Sequence, residues 1–328
     1  SSIIMSHLKK RCCNGCLCKG AQLMDIYKIG SHELQQIKEQ PFKLEKEMQA
    51  LFEANLMTLT GLTFVKTEFP LKQFRFDTLA FDEEKQAFVV IEYKRDKSQS
   101  VVDQGVSYLN AMLEYKDSLM VEYNEQSLGK ILKRSDIDWS QSRILFVANS
   151  FNDYQKNATN FKNLGIELIE FKRYHNDLLT VNFIERSKNA PSLPQPISDS
   201  AELTPLASIT KEIKVYDEES FYQLGSESTI ELYERFKQAI LNLDDQIELV
   251  YTKYYAAFKK DKTTIVDIVM QKRTMILYIN AVWGTLDDPK AIFRDMRNIG
   301  HWGNGDYEIS LKDTEQLEYI LSVIKQKL

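Results

Sequence analysis

The chain is poor in the residues that most often carry catalysis in small enzymes. None of its four histidines, His7, His32, His175 and His301, stands three or four residues from another. No helical pair of imidazole ligands is available, and a zinc hydrolase is not expected. The four cysteines are confined to Cys12, Cys13, Cys16 and Cys18. Beyond them the chain has none, which excludes a disulfide framework and fits a reducing cytoplasm. The cluster itself lacks the longer loop that lets four sulfurs wrap a zinc ion from different directions. No Gly-x-x-x-x-Gly-Lys loop occurs, so nucleotide-driven chemistry is not indicated. Apolar runs are strand-length, as at 144–148, far short of the ~20 residues of a membrane-spanning helix.

Proline is scarce too, and its distribution is uneven. Of seven prolines, Pro191, Pro194, Pro196 and Pro205 fall within 187–211, among Ser, Thr and Ala. Proline fixes φ and lacks an N–H donor, so this stretch is expected to link two domains rather than join a sheet. Residues 1–23 read as a leader or extension without structure, because Met24-Asp25-Ile26-Tyr27 looks like a natural start. That leaves a first domain over 24–186 and a second over 212–328. At 328 residues, 43% hydrophobic and 27% charged, the chain can build two cores. A net charge of −5 argues against a protein coated by nucleic acid but leaves room for a local basic groove. Candidates are Lys94-Arg95-Asp96-Lys97, Lys130 with Lys133-Arg134, and Lys172-Arg173, each of which also reads as a solvated face.

What is present is a polar pattern set into strands. Residues 89–94, Val-Val-Ile-Glu-Tyr-Lys, are dominated by β-branched and aromatic side chains and follow a polar turn, Asp82-Glu83-Glu84-Lys85-Gln86. Side chains two apart on a strand share a face, so Glu92 and Lys94 point the same way. Asp77 lies on the preceding strand, expected over 73–81 and antiparallel to the first. Val90 on one face and Val89, Ile91 and Tyr93 on the other mark a central strand with charges at its end, and charges there need a reason. Two carboxylates facing one pocket repel unless a cation sits between them, and hard oxygen ligands suit Mg²⁺ or Mn²⁺. An adjacent ammonium would hold water or stabilise charge growing on a phosphate. Downstream, Gln104 and Tyr108 are four apart at the head of a helix expected over 102–115, and so face the same way.

Asp77, Glu92-Tyr93-Lys94, Gln104 and Tyr108 together resemble the PD-(D/E)xK nuclease superfamily, in the branch with a RecB-like Gln-x-x-x-Tyr motif. Residues 44–55 are similar to the opening helix of NucS-like archaeal endonucleases, which places that helix's extra acid at Glu45, or at Glu47 with a shift of two. The resemblance spans roughly 40–185. It departs from the family where Arg75-Phe76 replaces the proline that often precedes the aspartate. It implies an α/β, restriction-endonuclease-like mixed sheet flanked by helices, and a Mg²⁺- or Mn²⁺-dependent nuclease. Asp77, Glu92, the Tyr93 carbonyl and Glu45 would surround the metal, with Lys94 positioning water and Gln104 assisting. Tyr108, Arg75, Arg95 and Lys97 would contact nucleic acid. The expected substrate is DNA, in defence, restriction or repair, and double-strand cutting by one site per chain suggests a homodimer. The alternative is a module on the same fold that binds nucleic acid or protein without cutting.

Past the motifs, strands are expected over 143–148, 166–171 and 178–184, with a helix over 152–164. The second domain, α+β, shows a helical stripe over 229–243 and strands at 247–251, 255–259, 264–270 and 275–280, closing with a helix over 314–327. Ser228 and Glu231 read as a capping box. The run Gly300-His301-Trp302-Gly303-Asn304-Gly305-Asp306-Tyr307 reads either as a ligand-contacting loop or as a turn whose tryptophan closes the core. This half resembles the uncharacterised C-terminal domain of proteins labelled "predicted transport protein". No membrane segment supports that label.

Overall fold

The computed structural model describes residues 3–6, 25–31, 33–95, 101–126, 129–187, 189–194, 204–299 and 304–328. The chain divides into two units, Ser1–Lys214 and Val215–Leu328. The cysteine cluster, Lys97 and residues 300–303 lie outside the described residues.

In the first unit, β1 (Ile3–Ser6), β2 (Asp25–Ile29) and β3 (Leu34–Ile37) form a small antiparallel sheet. Residues 3–6, expected to be unstructured, thus pair with β2. The helices α1 (Glu45–Ala54) and α2 (Leu56–Thr60) follow. A six-stranded sheet is built from β4 (Thr63–Leu71), β5 (Phe74–Asp82), β6 (Ala87–Lys94), β7 (Arg143–Ala148), β8 (Ile166–Tyr174) and β9 (Leu178–Ile184), adjacent in that order. Helices α3 (Val101–Glu114) and α4 (Lys116–Glu125) lie between β6 and β7, and α5 (Asp153–Ala158) lies between β7 and β8. The pairs β6–β7 and β7–β8 are parallel and the rest antiparallel. This is the expected class, α/β with a mixed sheet flanked by helices.

Every residue of β6 is buried. Phe88 and Val90 join the core shared with α3 (Leu109, Met112), while Val89, Ile91 and Tyr93 join the core shared with α1 (Met48, Phe52). Coverage on both faces explains the nearly continuous apolar run, because a half-exposed strand would alternate. The 82–86 turn is locked by Asp82, whose Oδ1 accepts the N–H groups of Glu84 (3.0 Å) and Lys85 (2.9 Å). At that same end of the sheet Arg143 pairs with Asp82 at 2.8 Å and Glu167 at 3.4 Å, fastening β7 and β8 to β5. Burial pushes the Asp82 carboxyl up, but Arg143 and Lys85 together outweigh it through their charges and hydrogen bonds and hold the group below its ordinary range.

Two further expectations for this unit need correction. The helix expected over 152–164 is the shorter α5, which starts on an Asn152–Gln155 capping box and ends well before Gly165, where φ is 69°. The expected linker over 187–211 is not all linker. Residues Pro205–Glu212 form α6, capped by Thr204, and its Ile209, with Ile213 just beyond, is buried in the α3 core. Proline at a helix's first turn loses no hydrogen bond, so the same residue that breaks a sheet here starts a helix.

The second unit contains α7 (Glu218–Tyr222), α8 (Glu227–Leu241), β10 (Glu248–Tyr251), β11 (Ala256–Lys260), β12 (Thr263–Met270), β13 (Met275–Ile279), β14 (Arg294–Asp295), β15 (Tyr307–Leu311) and α9 (Leu317–Ile324). Its strands form an antiparallel sheet in the order β10-β11-β12-β13-β15-β14. Tyr233, Phe236 and Ile240 of α8 pack with Ile320 and Ile324 of α9 in its core. The helix cap is Ser226 with Thr229, two residues earlier than the expected Ser228. At the start of β15, Tyr307 is buried in this core, tilted over Trp283 at 4.6 Å.

Candidate active site

Strands β5 and β6 part where the polar residues begin. Their ladder ends at Thr78 opposite Ile91. Beyond it β5 stays paired with β4 through Leu71↔Phe74, and β6 with β7 through Lys94↔Ala148. The Asp77 carboxylate fills part of the gap, its Oδ2 accepting the Tyr93 backbone N–H at 3.0 Å. From the opposite face, Gln49 of α1 donates to the Asp77 carbonyl at 2.8 Å and also contacts Thr67 Oγ1 (3.1 Å) and Glu53 Oε1 (3.0 Å). Thr78 donates to the same Glu53 oxygen and meets the Tyr93 hydroxyl at 3.2 Å. Helix α1 therefore fixes the backbone of Asp77 and the ring of Tyr93.

Glu92 is 4% exposed and Lys94 8%. Glu92 Oε1 receives both the Lys94 ammonium (3.0 Å) and the Gln104 amide (2.8 Å). Its Oε2 is buried with no hydrogen-bond partner among the described residues. An unpaired buried carboxylate oxygen costs free energy, on the order of 1–3 kcal/mol or more for a charged group. Burial first, then the Asp77 charge, push the Glu92 carboxyl up to about 7, against the opposing pull of Lys94 and Gln104. Burial also raises Asp77, with Glu68 and Glu45 adding to it, although the Tyr93 N–H and Lys94 oppose the change. Asp77, Gln104 and Tyr108 keep partial exposure, so the buried Glu92–Lys94 pair has a solvent-facing side.

The other expected residues divide. Of the two helix acids, Glu45 is the one at the end of β6, where its Oε1 accepts the Arg95 N–H at 2.8 Å, whereas Glu47 pairs with Arg173 at 2.6 Å. Glu45 does not complete a cluster with Asp77 and Glu92. Among the described residues, no group of three His, Cys, Asp or Glu side chains is placed to hold a metal ion. Tyr108 braces β5, with its ring against Phe76 (4.8 Å) and Phe74 (5.7 Å) and its hydroxyl on the Arg75 carbonyl (3.4 Å). Burial raises its phenol, while a Gln104 hydrogen bond works the other way. Arg75 is ion-paired with Glu68 at 2.6 Å, and the Arg95 guanidinium donates to the Lys43 carbonyl at 3.1 Å. A surface cavity of about 420 Å³ between α5, β8 and β9 shares no residue with this site.

Sequence reasoning missed Gln49, Glu68 and Gly105. Gln49 had a legible signal, a polar residue beside Met48 and Phe52 on the buried face of α1. Gly105 had a weaker one, an isolated glycine inside a helical pattern. A Cβ there would stand 2.5 Å from Ile166 Cδ1 and 3.1 Å from Phe146 Cε2, so glycine lets α3 approach β7 and β8 and brings Gln104 onto Glu92.

No family model matches the chain. Among solved structures, a repair endonuclease from Pyrococcus abyssi is 20% identical, with 44% of this chain and 60% of that one covered and a TM-score of 0.26. An EndoMS–dsDNA complex is 19% identical, with 46% and 61% covered and a TM-score of 0.27. SfsA from Pyrococcus furiosus in complex with Ca²⁺ is 12% identical, with 49% and 75% covered and a TM-score of 0.26. The chain spans about 60% of the length of the first two. An uncharacterised protein of Haemophilus influenzae (strain ATCC 51907 / DSM 11121 / KW20 / Rd) is 52% identical over 305 residues, covering 93% of this chain and 99% of that protein. The chain belongs to the family of this Haemophilus influenzae protein.

Proposed function

We propose that the Asp77–Glu92–Lys94 site hydrolyses phosphodiester bonds in DNA with Mg²⁺ or Mn²⁺. The observation that carries this reading is the buried Glu92 carboxylate, with one oxygen held by Lys94 and Gln104 and the other without a hydrogen-bond partner among the described residues, beside the partly exposed Asp77 carboxylate where two strands part. Two carboxylates and no nitrogen or sulfur donor fit a hard cation that keeps water and phosphate in its remaining positions. Asp77 and Glu92 would hold it, and it would supply Lewis-acid stabilisation of charge on the phosphate.

The chain's own residues supply position and charge. Lys94 gives one N–H to Glu92 and has two further donors for a water or a phosphate oxygen. Gln104 keeps Glu92 oriented, and Gln49 keeps Asp77 in place. In the reaction, water oxygen bonds to phosphorus and the bond to the 3′ oxygen breaks. The products are a 5′ phosphate and a 3′ hydroxyl.

The test is nicking of supercoiled plasmid by the full-length protein with Mg²⁺, Mn²⁺ or EDTA. Cleavage should require the divalent ion and vanish in Asp77→Ala and Lys94→Ala proteins whose circular dichroism is unchanged. Equal cleavage by wild type and both variants would remove the proposal.

A further inference from the structure

Glu68 sits in β4 across from Asp77, between the paired positions Thr67↔Thr78 and Phe69↔Phe76, and there the ladder lapses. Its φ is 51°, a left-handed conformation that is uncommon for a residue other than glycine. Its carboxylate meets two cations from different elements. Lys46 Nζ, from α1, is 2.6 Å from Oε1, and Arg75 Nε, from β5, is 2.6 Å from Oε2. The cations are mostly exposed, at 63% and 69%, while Glu68 is 24% exposed. Exposed ion pairs contribute little to stability, so packing alone gives little reason for a strained backbone to present this carboxylate.

The arrangement does match a binding problem. A nucleic-acid strand approaching Asp77 and Glu92 brings negative charge toward negative charge. Two cations that converge on a pair of anionic oxygens beside Asp77 offer what a phosphodiester's two non-bridging oxygens require. We propose that Lys46 and Arg75 form a phosphate subsite for the nucleic-acid backbone, and that Glu68 is a resident anion occupying it until a phosphate takes its place. The inference rests on the phosphodiesterase reading and extends it to how substrate is admitted. Displaced, Glu68 loses both counter-charges and stands unpaired beside the incoming strand. The subsite therefore favours backbone phosphates presented continuously, which regain elsewhere what this exchange costs, over an isolated small anion.

The consequence is a salt dependence weaker than two cations would give alone. Each phosphate neutralised steepens the slope of log K against log salt concentration by about 0.9 on duplex DNA. Because Glu68 cancels one positive charge, Glu68→Gln should steepen the slope by roughly that amount and tighten binding by roughly twofold to fivefold. The measurement is fluorescence anisotropy of a labelled DNA duplex with the full chain in EDTA, over a salt series. Lys46→Gln, on the exposed side of α1, should make the slope shallower by a similar amount, and it serves if Glu68→Gln does not fold. Duplex binding with a slope that neither substitution alters overturns the subsite and leaves the phosphodiesterase reading standing. No duplex binding by wild type or Glu68→Gln overturns both.

Discussion

The Gln104 amide nitrogen lies 2.8 Å from Glu92 Oε1, the oxygen that also receives the Lys94 ammonium. Glu92 is thereby held by two donors on one side, while its other oxygen is buried with no hydrogen-bond partner among the described residues. Removing the amide in Gln104→Ala takes away a hydrogen bond to a charged group, worth about 1.5–3 kcal/mol. Mn²⁺ affinity at neutral pH, measured calorimetrically, should fall by about tenfold or more. Unchanged affinity would mean that Gln104 does not orient Glu92 toward a cation.

The Glu92 carboxyl, raised to about 7 by burial and by Asp77, makes stability depend on pH when no divalent ion is present. A carboxyl raised in the folded state binds a proton that the unfolded chain has already released. Its stabilising contribution is full below the ordinary value of 4.5 and is lost as pH rises through about 7. The loss amounts to about 3 kcal/mol. In urea titrations with EDTA, Glu92→Gln should gain on wild type between pH 5 and pH 8. A constant difference across that range would contradict the shift.

Gly105→Ala tests how closely α3 must lie on the sheet. The added methyl would stand 2.5 Å from Ile166 Cδ1, 3.0 Å from its Cγ1 and 3.1 Å from Phe146 Cε2, both residues being buried in the core beneath α3. Overpacking of this kind costs about 1–3 kcal/mol. The helix should move outward and take Gln104 off Glu92, so both the urea midpoint and Mn²⁺ affinity should drop. A stability loss with intact affinity would separate packing from site geometry.

Gln49→Ala leaves the Asp77 carbonyl and the part-buried Glu53 carboxylate, which also accepts from Thr78, without their amide partner. The expected cost is about 1–3 kcal/mol in urea unfolding. Nicking should fall as well, because Asp77 loses the contact that fixes its backbone. Gln49→Glu should be worse than alanine, since it sets a carboxylate against a carbonyl and a second acid.

Elements defined by local composition could be read directly. Strands β7 and β9 begin and end where their β-branched and aromatic runs do, at Arg143–Ala148 and Leu178–Ile184. The shared face of Glu92 and Lys94 follows from strand periodicity, and that of Gln104 and Tyr108 from helical periodicity. Strand β4 leaves no clean period of two in the sequence because its burial alternates irregularly through a bulge near Phe64 and the left-handed Glu68. α6 was hidden behind its proline and its neighbours Ser and Thr, and it is stable because Ile209 and Ile213 find the α3 core. Glu45, read as a metal ligand, accepts the Arg95 N–H on its Oε1, a contact that only the meeting of α1 with the end of β6 could reveal.

The amino-acid sequence by itself determined the central strand, the turn before it, and the types of residue available for chemistry, because these depend on near neighbours and on a period of two or of 3.6. Only the tertiary structure decided which oxygen of Glu92 is satisfied, that Asp77 bridges the parting strands through the Tyr93 N–H, and that Gln49, Gly105 and Glu68 surround the pair. Those facts depend on register and on the approach of helices to the sheet, which are set by packing between residues tens of positions apart and leave no local periodic trace.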